Sequence, residues 1–132
     1  MRFSLPSFIL LALALPFKAF ACVQFQAVVA AGFNEQAYVL ASLVDNGGEQ
    51  CWTNTFVPGS WSFIFLTCNS GYLGTFQWDI LGGDWEVWYN TPAVSGGSFG
   101  VNIDGITDGT VSENGVEYEA IIYTASAEVW GC

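Results

Sequence analysis

The sequence predicts an all-β, antiparallel protein: a sandwich or small barrel of about eight to ten short strands, stapled by disulfides. Three observations point there. Beyond residue 21 the chain alternates runs rich in Val, Ile, Thr, Tyr, Phe and Trp with glycines, and all 15 glycines fall in that part. Turn-forming pairs such as Asn46-Gly47, Gly82-Gly83 and Asn114-Gly115 separate those runs at short intervals. The four cysteines, at 22, 51, 68 and 132, show no CxxC spacing, and there is no histidine to complete a zinc site, so they read as disulfides.

Taken in order, residues 1–21 carry the marks of a secretion signal. Met1-Arg2-Phe3 is a short positive segment, 5–15 is apolar and rich in Leu, and Ala19-Phe20-Ala21 is a small-x-small cleavage site. Cleavage after Ala21 is expected, leaving residues 22–132 as a single secreted, extracellular β domain. Pro16 and Lys18 interrupt the apolar run, which is too short to span a bilayer, and no second run of membrane length follows. No membrane anchor is therefore expected. Cys22, directly after the cleavage site, raises a lipoprotein as the rival. That reading wants a Leu-like and a small residue where Ala19 and Phe20 stand, and it leaves an odd number of cysteines.

Strands are expected at 23–30, 37–44, 51–57, 61–68, 72–80, 85–90, 98–103, 110–113, 116–124 and 127–131. Segment 35–44 has a helical alternative, capped by Asn34 and stopped at Asn46-Gly47. Its short length and β-branched residues favour a strand. Residues 61–66 are apolar on both faces, with Trp61, Phe63 and Phe65 on one and Ile64 and Leu66 on the other, which predicts a central strand and a buried Trp61. Asn114-Gly115 is the strongest hairpin signal. It sets Val111 opposite Tyr118 inside, with Ser112/Glu117 and Thr110/Glu119 outside. Pro58-Gly59-Ser60 closes another hairpin and places Cys51 opposite Cys68, near enough to bridge. Elimination then pairs Cys22 with Cys132.

Charge narrows the chemistry. The only basic residues, Arg2 and Lys18, lie in the leader, and the 12 acids all lie beyond it, so a net charge of −10 becomes −12 once the leader is gone. Such a surface repels phosphate backbones and anionic headgroups, and no nucleic-acid partner is expected. His and Lys as bases, Arg as an oxyanion clamp and His as a metal ligand are all missing from 22–132. A Ser-His-Asp or Cys-His site or a phosphate loop cannot be built. The chain reads as a non-enzyme with no cofactor, whose partner presents a neutral or basic surface.

Two clusters could still carry a site. A turn at Gly82-Gly83 puts Phe76/Tyr89, Trp78/Val87 and Ile80/Trp85 on one apolar face, and Asp79/Glu86 and Gln77/Trp88 on the other. Two facing carboxylates beside a Trp resemble the layout of glycan sites, where retaining glycosidases hold two carboxyls about 5–5.5 Å apart. Asp79, Glu86, Gln77, Trp88 and Trp130 form this candidate ligand patch; the plainer reading is of exposed acids in an uncertain register. The second cluster, 102–109, is a Gly-punctuated run whose Asn102, Asp104 and Asp108 could ligate calcium. It departs from EF-hand spacing, and Asp and Gly equally make ordinary turns.

The layout resembles the small secreted, cysteine-containing effector-like proteins of filamentous fungi. The leader and the terminal cysteines carry the likeness, with Val44-Asp45-Asn46-Gly47-Gly48 leading to Cys51 and Asn69-Ser70-Gly71-Tyr72 following Cys68. It implies a disulfide-bonded all-β protein that acts on a host or a competitor by binding, and it carries over no catalytic residues. The expected function is that of a secreted, acidic, non-enzymatic interaction protein. The alternative is a carbohydrate-binding or glycan-cleaving module using the Trp and carboxylate patch.

Overall fold

A computed structural model describes residues 23–79, 83–92 and 96–130, except for the side chains of Val129 and Trp130. The leader, Cys22 and Cys132 lie outside these residues, as does the expected bond between the two cysteines. The strands are β1 (Val23–Phe33), β2 (Gln36–Asp45), β3 (Gly48–Pro58), β4 (Phe63–Phe65), β5 (Thr67–Cys68), β6 (Leu73–Gln77), β7 (Glu86–Asn90), β8 (Gly97–Gly100), β9 (Asn102–Glu113) and β10 (Val116–Trp130). They form a six-stranded sheet in the order β5-β3-β2-β1-β10-β9 and a four-stranded sheet in the order β4-β6-β7-β8. All pairings are antiparallel, and the sheets do not close into a barrel. Among the described residues there is no helix, and 36–45 is a strand.

Three hairpins build the larger sheet, each closed by two residues in the left-handed region. These are Asn34-Glu35 (φ 44° and 55°), Asn46-Gly47 (52° and 83°) and Asn114-Gly115 (52° and 81°). Left-handed backbone at both central positions matches the twist of paired strands, and Asn and Gly adopt it most cheaply. The register around Asn114-Gly115 is the expected one, with Tyr118 opposite Val111, Glu117 opposite Ser112 and Glu119 opposite Thr110.

One face of the six-stranded sheet packs on the four-stranded sheet. Phe25, Val29, Val39 and Leu43 meet Phe76, Trp78, Val87 and Tyr89 in a core from which water is excluded. Phe25 and Phe76 rings lie 4.9 Å apart, and Phe76 also touches Trp78 and Trp85. The Tyr89 hydroxyl donates to Asp45 Oδ2 at 3.0 Å, a polar tie from β7 to the end of β2. The other face of the larger sheet holds a second cluster, with Val28, Ala30, Tyr38, Leu40, Val111 and Ile122 buried. The switch of faces happens at Gly32, whose φ of 81° accompanies a register shift between Ala30 and Phe33. Phe33 then contacts both Phe56 on β3 and Tyr118 on β10, strands separated by two others, so the sheet curls around this cluster.

At both flanks the chain passes from one sheet to the other through a single buried residue. Leu66 links β4 to β5, and its N–H donates to the Gly74 carbonyl at 2.9 Å. Val101 links β8 to β9, its N–H donating to the Trp85 carbonyl at 2.8 Å. Such corners join the two layers of a sandwich. They correct two expectations. Segment 61–68 is two short pieces in different sheets rather than one central strand, and β4 is an edge strand with Trp61 half exposed. The expected strand 98–103 is likewise divided at Val101.

The Cys51–Cys68 disulfide is present, between residues directly opposite each other on β3 and β5, with Cα atoms 4.0 Å apart. Only Cys51/Cys68 and Trp52/Thr67 pair there, so the bond anchors a strand of two residues. Gly74 lies over it: a Cβ at that position would sit 3.3 Å from Cys51 Sγ and 3.1 Å from Leu66 Cδ1.

Candidate functional site

The outer face of the four-stranded sheet carries the site. The pairings Phe65↔Thr75, Thr75↔Trp88 and Trp88↔Ser98 form one row across all four strands. The next row is Phe63, Gln77, Glu86 and Gly100. Alternation drives Phe76, Val87 and Tyr89 inward and these neighbours outward. Four large apolar side chains are left in water on this face: Phe63 (48% exposed), Phe65 (74%), Leu73 (58%) and Trp88 (38%). The Phe63 and Phe65 rings pack edge to face at 5.7 Å, and residues 60–65 line a shallow groove of about 500 Å³. The Trp88 indole rests against Gly96, where a Cβ would fall 2.7 Å from Cζ2.

The paired carboxylates do not form. Glu86 stands opposite Gln77, and Trp88 opposite Thr75, a register two residues away from the expected one. An even shift keeps every side chain on its expected face, so Phe76, Trp78, Trp85, Val87 and Tyr89 are buried and Gln77, Glu86 and Trp88 point outward. Ile80 lies outside the described residues. Asp79 falls beyond the end of β6, and its carboxylate lies against Gly83, where a Cβ would fall 1.9 Å from Oδ2. The Asp79 backbone carbonyl accepts the Trp85 Nε1–H at 2.9 Å. The Trp130 backbone pairs with Val23 at the end of β10, in the other sheet, which separates it from the patch of Trp88, Gln77 and Glu86.

Asn102, Asp104 and Asp108 do not lie on a loop. All three belong to β9, an edge strand paired to β10, with Asp104 at a bulge between Ile103 and Gly105. Among the described residues no three Asp, Glu or Cys side chains converge as metal ligands. The glycines that suggested a turn answer to the neighbouring strand. A Cβ on Gly109 would meet Ile122 Cγ1 at 2.7 Å.

Phe63, Phe65 and Leu73 are the members of the exposed face that the sequence did not reveal as such. The only signal was the polar bracket of Ser62 and Thr67, which leaves too few residues between for a central strand. Two buried tyrosines hold their protons strongly: desolvation raises Tyr38, and desolvation followed by the hydrogen bond to Asp45 raises Tyr89 well above the ordinary phenol value. No family model, curated protein or solved structure matches the chain.

Proposed function

We propose that this is a secreted, non-enzymatic interaction protein that binds its target through the outer face of the four-stranded sheet. The observation that carries the reading is the cluster of Phe63, Phe65, Leu73 and Trp88, exposed together on one face of a small domain. Contiguous apolar patches on soluble proteins mark interaction surfaces, and Trp is enriched among the residues that dominate binding energy. The acidic surface, without Lys, Arg or His after residue 18, favours a partner that is neutral or basic and disfavours nucleic acid. In this reading the target belongs to a host or a competitor, as the likeness to effector proteins implies.

A neutral glycan is the second reading, favoured by one arrangement. Phe65 and Trp88 flank Thr75 two strand spacings apart, about 10 Å, with Gln77, Glu86 and Ser98 on the same face as hydrogen-bonding groups. Asp79 and Glu86 do not stand opposite each other in the register, so this reading is of glycan binding. The test is a Phe65→Ser/Trp88→Ser variant beside the unmodified protein, screened against protein extracts and a glycan array. Loss of a retained protein in the variant supports the first reading, and loss of a glycan signal the second. Equal binding by both proteins would move the site off this face.

A further inference from the structure

The long edge of the six-stranded sheet offers a second surface, independent of the aromatic face. β9 pairs with β10 alone, and among the described residues nothing pairs with its other side. Its register against β10 is unbroken from Gly105 to Val111, past the bulge at Asp104. No proline interrupts that stretch. A regular, open edge presents a row of unpaired N–H and C=O groups on which another strand can form.

The charges decide which strand. Asp108 projects from the middle of the stretch, Asp104 and Glu113 flank it, and Glu119 on β10 is its diagonal neighbour on the same face. A second copy added antiparallel about Asp108 would set two Asp108 side chains opposite each other, and like charges directly opposite are destabilising. The described residues contain no cation that could relieve this. The same face gives apolar footing, because Ile106 is 61% exposed and lies diagonal to Ile121. Asp108, Glu119 and Ile121 line one groove of about 570 Å³.

We propose that the outer edge of β9, over residues 105–111, takes an extended basic segment of a partner protein as an added strand. Lys or Arg would lie opposite Asp108, and an apolar side chain against Ile106. Backbone hydrogen bonds supply the pairing, and the acids select the sequence.

The test titrates the isotope-labelled protein with a short peptide of repeating Lys-Thr-Val-Thr, whose Lys and Val fall in turn on one face of a strand. Two controls accompany it: the same peptide with Glu in place of Lys, and one N-methylated at every residue so that neither edge can donate a hydrogen bond. Saturable amide shifts confined to β9 and its β10 neighbours are expected, with slowed hydrogen exchange in 105–111. Both controls should bind at least tenfold more weakly. Asp108→Lys, on an exposed edge position, should reverse the preference toward the Glu peptide. Undiminished binding of the N-methylated peptide would overturn the proposal, since it would mean charge attraction without strand addition. Shifts centred elsewhere, no shift with millimolar peptide, or a concentration-dependent dimer paired through β9 would overturn it equally.

Discussion

The two sheets use the same residue types for opposite ends. In the six-stranded sheet long strands are joined by tight two-residue turns, and apolar side chains such as Val29 and Leu40 are buried on both of its faces. In the four-stranded sheet strands of three to five residues bury Phe76, Val87 and Tyr89 on one side and leave Phe63, Phe65 and Trp88 in water on the other. Burial of apolar surface stabilises a fold; exposure of it forgoes that stabilisation and stays useful only for contact. The difference separates residues that hold the molecule together from residues held out for a partner.

That separation is open to direct attack. Phe76→Ala should do the most damage, because Phe76 contacts Phe25, Trp78 and Trp85 at the centre of the inter-sheet core. A loss of about 3–5 kcal/mol is expected from urea midpoints. A loss below 1 kcal/mol would show that the four-stranded sheet is not needed for stability. Next is Cys51→Ala/Cys68→Ala. The bond spans a sequence separation of 17, and opening it should cost about 3 kcal/mol in the chain-entropy description. An unchanged thermal midpoint would mean that the β3–β5 pairing holds without the bond.

Each sheet has a buried tyrosine whose proton is held more tightly in the folded state, Tyr38 in the larger and Tyr89 in the smaller. Above the unfolded phenol value, near pH 10, the unfolded chain releases protons that the folded chain keeps. Stability should fall there as pH rises, by up to about 1.4 kcal/mol per pH unit for Tyr89 and in the same direction for Tyr38, with no such contribution at neutral pH. Tyr89→Phe should lose about 1 kcal/mol at pH 7 with the bond to Asp45, yet show a shallower decline above pH 10. An identical alkaline slope in the two proteins would remove Tyr89 from the account. The smallest effect belongs to the outer face. Phe65→Ser, at the most exposed of these side chains, should shift stability by less than about 0.5 kcal/mol while weakening target binding. A large loss of stability would make that side chain structural.

What could be read in the sequence follows the range of the interactions involved. Asn114-Gly115 fixes its hairpin through backbone preferences of the two residues themselves, and the resulting register holds over the pairs nearest the turn. Cys51 opposite Cys68 was legible from the turn between them, although the chain detours through the other sheet on the way. The detour was not. Leu66 and Val101 turn corners because a second layer lies beside them, and a single buried Leu or Val looks the same inside a strand. Around Gly82-Gly83 the parity of the faces survived and the register did not, which dissolved the facing Asp79 and Glu86. Asp104, Gly105, Asp108 and Gly109 looked like a loop. As an edge strand, β9 is under little pressure to carry bulky residues, and Gly109 leaves room for Ile122.

The seam of the larger sheet has a consequence for how the chain comes to be folded. Val23 pairs with Trp130, so β1 finds its second neighbour only in the last strand, β10. The β1–β2–β3 meander is complete much earlier in synthesis, with one side of β1 still open and Val28 and Ala30 uncovered. Contacts of such long sequence separation form late and slowly, and an open apolar edge in the interval invites pairing with other chains. Fast local hairpins followed by one slow closing step set the order of events. The rate at which β10 arrives and docks therefore governs how much of the protein reaches its native sheet.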